Sequence, residues 1–225
     1  MARVLVFDVI ETLLDLRPLH DPLARAFDEP PPLGEWFARL LHGSLVATVT
    51  DSYEDFASIG RRALDSVASK RDRELSDEDR EAILATLGRL PPHPEVLGAL
   101  NRLRSAGFPL ASLTNSSAKT ASAQLDHAGL AGLFDTILSV EEVRRYKPAP
   151  EPYLMAAERL GVTPAEMRMV AAHDWDVWGA SRAGCATAFL ARGSTRFAFG
   201  NAPGIVGGDL TEVVEAILKE DAPAQ

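Results

Sequence analysis

Cysteine is almost absent from this 225-residue chain, in which Cys185 is the only one. No disulfide can form within the chain, so we expect a reducing compartment, with the cytoplasm as the default. Hydrophobic residues make up 46% and charged residues 24%, which is ordinary globular composition and excludes collagen-like, coiled-coil and disordered chains. At roughly 150 residues per domain, the length predicts one domain, or one core with a lid.

Long apolar runs are missing too. No stretch of about 18 apolar residues occurs, so no membrane-spanning helix is predicted. The first apolar run, Val4–Phe7, is too short for a signal peptide and ends at Asp8. Positive charge is in the minority, because 23 Lys and Arg residues against 32 Asp and Glu residues give a net charge of -9. That balance argues against nucleic acids and anionic membranes as partners.

Short apolar runs separated by helical patterns recur along most of the chain. Such runs are typical of strands buried in a parallel sheet, and their alternation with helices indicates βαβ units that cover both faces of the sheet. We therefore predict an α/β fold with a parallel sheet. The predicted strands are Val4–Phe7, Pro109–Leu113, Thr136–Val140, Met167–Ala172 and Thr187–Ala191.

The alternation is interrupted between the first two predicted strands. From about Leu14 to Leu90 the pattern is helical, and the proline-rich segment Pro91–Pro94 follows as a stiff junction, because each proline disfavours helix before it. We expect this insert to form a separate helical cap over the core. The predicted domains are 1–13 together with 91–225 for the core, and 14–90 for the cap.

Two cap helices are predicted in more detail. One should start at Ser76, whose hydroxyl can pair with Asp79 in a capping box. The other should bury a face whose apolar residues recur at helical spacing. That face consists of Leu33, Trp36, Phe37, Leu40, Leu41 and Leu45.

Polar side chains follow the ends of the predicted strands. Because ligands bind beyond the carboxyl ends of the strands in an open parallel sheet, we expect these side chains to converge there. The grouping of carboxylates with a lysine, hydroxyls and an amide indicates a nucleophile with charged and polar partners. Asp8 and Thr12 follow the first strand, Thr114–Ser116 the second, Lys147 the third and His173–Asp176 the fourth.

Four segments carry a resemblance to the haloacid dehalogenase superfamily, and they occur in that superfamily's order over nearly the whole chain. The resemblance implies a Rossmann-like core, and the predicted helical insert lies where the superfamily has its cap. The four segments are Phe7–Asp15, Leu113–Ser116, Lys147–Pro148, and Trp175–Asp176 with Ala183–Gly184.

The resemblance assigns to Asp8 the role of nucleophile, which forms a covalent aspartyl intermediate. A carboxylate needs positioning more than activation for this task. Lys147 should keep Asp8 ionised, because an adjacent positive charge favours the carboxylate form. The hydroxyls of Thr12 and Thr114 should donate hydrogen bonds.

Two positions separate this chain from the phosphatases of the superfamily. Phosphatases carry a second aspartate two residues after the nucleophile, where this chain has Ile10. They also use a second carboxylate to hold magnesium, where this chain has Ala172. Since alanine supplies no oxygen ligand, no metal and no cofactor are expected. Halide leaves as an anion and needs neither an acid nor a metal, so both departures suit dehalogenation.

The sequence is similar in detail to the L-2-haloacid dehalogenases, or type II haloacid dehalogenases. That resemblance implies hydrolysis of short 2-haloalkanoic acids to 2-hydroxy acids, and possible homodimers. By the same resemblance, Asn115 holds the departing halide, Lys147 and Asp176 hold the water that cleaves the ester, and Tyr153 supports Lys147. Backbone N–H groups near Ile10 and Glu11, with Thr114 or Ser116, should hold the substrate carboxylate. The predicted substrate-binding residues are Ile10, Glu11, Trp36, Phe37, Ser116, Tyr153 and Trp175.

The chain departs from that family at several positions. The family has tyrosine, glycine, serine and asparagine where this chain has Ile10, Glu11, Ala171 and His173. His173 can replace the asparagine in holding water, or act as a base. The family's halide-binding arginine follows a tryptophan, and here Phe37 takes that position. Two alternatives stay open: a magnesium-dependent phosphatase of small phosphoesters, and a non-catalytic protein that binds a small molecule.

Overall fold

A six-stranded parallel sheet forms the centre of the molecule in the computed structural model, which describes residues 3–27, 30–193 and 195–221. The strand order is β3-β2-β1-β4-β5-β6. The chain leaves β1 towards β2 on one side and later returns to β4 on the other, so β1 lies at the switch point where such sheets bind ligands. The strands are β1 Val4–Phe7, β2 Leu110–Thr114, β3 Thr136–Ser139, β4 Met167–Ala171, β5 Ala186–Leu190 and β6 Ile205–Gly207.

The first five strands confirm the predicted ones, with ends that differ by one residue at most. Their apolar runs mark them because the strands are buried on both faces. The sixth strand was not predicted from the sequence. It has only three residues, and Val206 is 57% exposed at the edge of the sheet, so no continuous apolar run identifies it.

Helices cover both faces of the sheet. One hydrophobic cluster packs α5, α6 and α9 against one face and continues into the insert, while a second cluster packs α7 and α8 against the other face. None of the helices in the described ranges is long and apolar enough to cross a membrane. The helices are α1 His20–Phe27, α2 Leu33–Val49, α3 Phe56–Lys70, α4 Asp77–Leu87, α5 Val96–Ser105, α6 Ala118–His127, α7 Pro150–Leu160, α8 Asp174–Arg182 and α9 Leu210–Glu220.

Helices α1 to α4 make up the insert between β1 and β2. The capping box at the start of α4 is present, because the Ser76 hydroxyl accepts from the Asp79 N–H and the Asp79 carboxylate accepts from the Ser76 N–H. Along α2, Trp36, Phe37 and Leu40 are buried as predicted. The prediction was wrong for Leu45, which is 41% exposed, because the buried face of α2 continues through Ser44 and Ala47 and Leu45 lies to one side of it.

Candidate active site

The site is assembled at the carboxyl edge of the sheet. Asp8 follows β1 directly, Thr114 ends β2, and His173 precedes α8, which starts after β4. Lys147 reaches the same place from the irregular segment between β3 and α7. The parallel register of β2, β1 and β4 brings these ends together, which is why residues far apart in the sequence meet here.

The Asp8 carboxylate accepts hydrogen bonds on both oxygens. The ammonium of Lys147 donates to Oδ1 at 2.8 Å, and the hydroxyl of Thr12 donates to Oδ2 at 2.7 Å. Nδ1 of His173 lies 3.2 Å from the same Oδ2. Burial alone would raise the pKa of Asp8, but the charge of Lys147 and the hydrogen bond with His173 outweigh it and hold that pKa well below its usual value. Asp8 is therefore an oriented, ionised carboxylate at neutral pH.

Lys147 lies between two carboxylates. Besides Asp8, its ammonium donates to Oδ2 of Asp176 at 2.6 Å and to the carbonyl oxygen of Leu113 at 2.9 Å. Burial would lower the pKa of Lys147, but the charges of Asp176 and Asp8 raise it. The ammonium therefore stays charged although its side chain is fully buried. Buried charges are tolerated when they are paired and hydrogen-bonded in this way.

Asp176 is held in place by Tyr153. The Tyr153 hydroxyl donates to Oδ1 of Asp176 at 2.6 Å, while Oδ2 receives the Lys147 ammonium. Burial, followed by the charge of Asp176, raises the pKa of Tyr153, so its hydroxyl keeps the proton that it donates. Burial raises the pKa of Asp176 as well, and the charge of Lys147 opposes that effect. Tyr153 thus supports Lys147 indirectly, through the carboxylate that both contact.

His173 connects Asp8 to Glu11. Its Nε2 lies 2.8 Å from Oε2 of Glu11, while Nδ1 faces Asp8. Burial would lower the pKa of His173, but hydrogen bonds with Asp8 and Glu11 and their charges raise it to about 10. At neutral pH the ring is therefore an imidazolium that donates from both nitrogens. Phe37 and Trp175 stack on it, with ring centroids 5.8 and 4.9 Å away.

The turn after β1 positions both Thr12 and Glu11. The Thr12 hydroxyl accepts the N–H of Ala172 at 2.9 Å, which directs its own proton to Asp8. Glu11 has a φ of 66°, an unusual conformation for a residue other than glycine. Two side chains support this turn: Nε2 of His93 donates to the Glu11 carbonyl at 3.1 Å, and Arg192 donates to the Thr12 carbonyl at 2.8 Å.

His93 and Arg192 were not identified from the sequence. Both act on backbone carbonyls, and no residue pattern marks such contacts. Arg192 follows β5 closely and His93 belongs to the proline-rich junction. The only available signal was their location: Arg192 at the carboxyl edge of the sheet, and His93 after the helical insert.

Asn115, in the segment that follows β2, contributes an oriented side-chain amide. Oδ1 of Asn115 accepts the N–H of Lys147 at 3.2 Å, which leaves the amide nitrogen as a donor. One backbone group of the turn predicted to hold the substrate carboxylate, the N–H of Glu11, donates to Leu14 O at 3.0 Å because the turn closes on itself. The N–H of Ser116 donates to the Thr114 hydroxyl at 3.2 Å.

The helical insert contributes aromatic rather than cationic groups from α2. Phe37 stacks on His173, the ring that contacts Asp8. Arg39 is turned away and donates to Glu35 and Ser66 within the helical insert. Trp36, predicted to contact substrate, is fully buried between α2 and α3, where its indole N–H donates to Gly60 O at 3.0 Å. The structure therefore places Trp36 in the interior of the helical insert, and Ile10 in the buried turn after Asp8.

An apolar cleft of about 250 Å³ leads to Lys147. Its walls come from α2 and from the Lys147–Pro148 segment with Trp175, so it lies between the helical insert and the ends of the strands. A larger cleft of about 770 Å³ lies at the opposite edge of the sheet, beside Val4 and Leu110 at the amino ends of their strands. Ligands of such sheets bind at the carboxyl edge, which argues against the 770 Å³ cleft; a further cleft of about 790 Å³, beside Glu11, Phe37 and His93, also lies at the carboxyl edge. The residues that line the apolar cleft are Ala38, Leu41, His42, Leu45, Lys147, Pro148 and Trp175.

The residues around Asp8 do not fit a magnesium ion. Across residues 3–27, 30–193 and 195–221, no group of three or more His, Cys, Asp or Glu side chains is arranged to hold a metal. Ile10 and Ala172 offer no side-chain oxygen, whereas magnesium needs near-octahedral oxygen ligands. Lys147 and His173, both cationic, already contact the carboxylate oxygens of Asp8.

Comparison with known proteins places this architecture in a family. The family described as haloacid dehalogenase-like hydrolase matches residues 2–184. An (S)-2-haloacid dehalogenase of Xanthobacter autotrophicus is 33% identical over 201 residues, covering 85% of this chain and 76% of the relative. The (S)-2-haloacid dehalogenase 4A of Burkholderia cepacia is 32% identical, covering 84% and 83%.

A solved structure has the same fold over nearly its full length. It is an L-2-haloacid dehalogenase from Xanthobacter autotrophicus with chloropropionic acid covalently bound. The two chains superpose with a TM-score of 0.90 at 26% sequence identity, covering 98% of this chain and 100% of the other. This chain belongs to the family of haloacid dehalogenase-like hydrolases.

Proposed function

We propose that this protein hydrolyses short 2-haloalkanoic acids to 2-hydroxy acids without a metal, through an ester on Asp8. The observation that carries the proposal is the buried, ionised Asp8 carboxylate, which receives hydrogen bonds from Lys147, Thr12 and His173. The names of relatives that share about a third of the sequence, and of the solved structure with its covalently bound chloropropionic acid, support the same reaction.

In the first step, one oxygen of Asp8 attacks the 2-carbon of the substrate from the side opposite the halogen. The new C–O bond forms as the carbon–halogen bond breaks, and the halide leaves with the bonding electrons. The configuration at that carbon is inverted. Lys147 and Thr12 hold the Asp8 carboxylate in one orientation. A fixed orientation of the reacting atoms lowers the barrier to such a reaction.

In the second step, water cleaves the ester, with His173 as the base. Once Asp8 is esterified it has lost its charge, so His173 loses one of the two carboxylates that raise its pKa. The imidazolium then releases its Nδ1 proton to solvent more readily, while Glu11 continues to hold Nε2. Water attacks the carbonyl carbon of Asp8 and gives one proton to Nδ1. The C–O bond between that carbon and the product then breaks, and the departing alkoxide takes the second proton of the same water, which gives the hydroxy acid and restores Asp8 as a carboxylate. Lys147 and Asp176 hold the water beside that carbonyl.

The remaining predicted residues form the surroundings of the substrate. The free amide nitrogen of Asn115 donates to the departing halide, and the Thr114 hydroxyl and Ser116 lie beside the substrate carboxylate. Phe37 and Trp175, with the apolar cleft, accommodate the alkyl part. Glu11 orients His173 and Tyr153 orients Asp176, so both act through another side chain.

The two predicted domains give this site its protection from water. We infer that 1–13 and 91–225 form the core and 14–90 the cap. Asp8, Lys147 and Asp176 are only 5%, 2% and 0% exposed, so the cap must move to admit substrate. Closure then excludes bulk water while the ester forms.

The proposal is tested by halide release from (S)-2-chloropropionate, bromoacetate and fluoroacetate with a chelator present. A parallel reaction contains an aryl phosphate with magnesium. We expect halide release that persists in chelator, and its loss in Asp8→Asn but not in the control Asp126→Asn on the surface of α6. Magnesium-dependent phosphate release without halide would favour the phosphatase alternative. A tightly retained ligand that is never turned over would favour a binding protein.

We further infer a cytoplasmic location and a homodimer. The single buried cysteine is compatible with a reducing compartment. Self-association is supported by the exposed apolar side chains Leu45, Val46 and Val49 on α2. Analytical ultracentrifugation tests it, and a monomer at high concentration would contradict it.

A further inference from the structure

The segment that carries Lys147 is irregular. It runs from the end of a short 3₁₀ turn, Val140–Glu142, to the start of α7 at Pro150, and Arg144 within it has a φ of 50°. Loops are less well held than helices and strands. Active-site groups must nevertheless stay within roughly 0.5 Å of their working positions. The contacts that hold this segment therefore bear directly on the reaction.

The cap holds the backbone of this segment. The N–H of Tyr146 donates to the hydroxyl of Thr48, in the last turn of α2, at 2.9 Å. The guanidinium of Arg145 donates to the Thr48 carbonyl. The next N–H along the chain, that of Lys147, donates to Asn115 Oδ1 at 3.2 Å. Two successive N–H groups are thus fixed from opposite sides, the first by the cap and the second by the core.

The side chain of Tyr146 strengthens the connection to the cap. It is fully buried, and its hydroxyl donates to the Glu54 carbonyl at 2.6 Å. Its ring stacks on Tyr53, with centroids 5.4 Å apart, and lies 6.0 Å from the ring of Phe56. All three partners lie between the end of α2 and the start of α3, so this aromatic group joins the cap to the residue before Lys147.

We infer that Thr48 and Tyr146 are positioning residues for the reaction, through which the seated cap sets the places of the Lys147 ammonium and the Asn115 amide. The inference rests on the proposed function. When the cap opens, the Tyr146 N–H loses its acceptor and the segment loses one of its two backbone anchors. The arrangement of Asp8, Lys147 and Asp176 is therefore completed only when the cap closes.

The test compares three substitutions at the end of α2. Thr48→Val keeps the shape of the side chain but removes the acceptor, whereas Thr48→Ser keeps the hydroxyl. Thr50→Val is the matched control, because the Thr50 hydroxyl bonds to Val46 O and Ser52 within the cap. A displacement of about 1 Å at such a site can lower a rate by about 100-fold, so loss of one anchor should lower kcat by about 10-fold.

The expected result separates positioning from folding. With folded fractions matched, Thr48→Val should lower kcat about 10-fold, change KM less than about twofold, and move the basic limb of the pH profile to lower pH. The reason is that a displaced Lys147 interacts less strongly with Asp176 and Asp8, whose charges raise its pKa, so that pKa falls. Thr48→Ser and Thr50→Val should stay within about twofold of the unsubstituted protein in kcat. Hydrogen exchange of segment 140–149 should rise in Thr48→Val alone.

Two outcomes would overturn the inference. One is an unchanged kcat and pH profile in Thr48→Val, even if its melting temperature falls. The other is an exchange rate in segment 140–149 that is equal in Thr48→Val and Thr50→Val. The exchange measurement does not depend on halide release. An inactive unsubstituted protein would therefore contradict the proposed function, while the anchoring by Thr48 would still be decided by exchange.

Discussion

Replacement of Lys147 by methionine should remove the largest electrostatic support of the site. Methionine has a similar length but no charge, so Asp8, Asp176 and the Leu113 carbonyl each lose a donor at 2.8, 2.6 and 2.9 Å. Removal of one partner from a buried ion pair typically costs about 3–5 kcal/mol. We expect a loss of that size in the free energy of unfolding at about pH 8. Lys119→Met, on the exposed surface of α6, should change it by less than about 0.5 kcal/mol.

The loss should depend on pH in a definite direction. Without Lys147, burial and mutual repulsion raise the pKa values of Asp8 and Asp176 in the folded protein, so both carboxylates take up protons more readily. A group with a raised folded pKa loses stability as pH rises above its unfolded pKa. The deficit of Lys147→Met should therefore be smaller at about pH 5 than at about pH 8. Guanidinium denaturation, followed by tryptophan fluorescence, measures it. A deficit below about 1 kcal/mol, or one that is larger at pH 5, would refute the reasoning.

Two further predictions concern the supports of the site. An added Cβ at Gly179 would lie 2.5 Å from Pro148 Cβ and 2.8 Å from the Tyr153 hydroxyl, so Gly179→Ala should destabilise the fold by about 1–3 kcal/mol and lower kcat. Gly98→Ala in α5 meets nothing within 4 Å and should be neutral or stabilising, and equal urea denaturation midpoints would contradict this contrast. For His173, whose pKa is raised from 6.5 to about 10, the stabilising contribution is complete below about pH 6.5 and is lost as pH rises towards 10. The difference in free energy of unfolding between the unsubstituted protein and His173→Asn, measured by urea denaturation, should shrink over that range. A constant or growing difference would show that the charge of His173 does not stabilise the folded protein.

The regular part of the fold could be predicted because its signals are local. Continuous apolar runs mark buried parallel strands, and the loss of strand–helix alternation marks the insert. Predictions failed where an apolar residue lies beside the buried face of a helix, as at Leu45, or where the element is too short and exposed to leave a pattern, as at Val206. Such boundaries depend on tertiary contacts that the local sequence does not contain.

The residues of the site could be predicted by type, but the hydrogen bonds between them could not. Asp8, Lys147 and Asp176 follow strand ends and meet, as topology requires. The contact between His173 and Glu11 was not predicted, because it depends on the left-handed backbone at Glu11 that aims its carboxylate at the ring. The backbone N–H of Glu11 lies in the turn expected to hold the substrate carboxylate, yet it closes that turn by donating to Leu14 O. Local acceptors and a substrate compete for such N–H groups, and the spacing of residues in the sequence does not predict which of them forms the hydrogen bond.

The most direct test of the central claim follows one oxygen atom through a single turnover. Excess enzyme is mixed with (S)-2-chloropropionate in water enriched in oxygen-18, and the product and the peptide containing Asp8 are analysed by mass spectrometry. Nucleophilic attack by Asp8 predicts that the hydroxy acid carries ordinary oxygen from the enzyme, while the heavy oxygen enters the Asp8 carboxylate. Heavy oxygen in the product hydroxyl, with none in the Asp8 peptide, would mean that water attacks the substrate directly and would contradict the account.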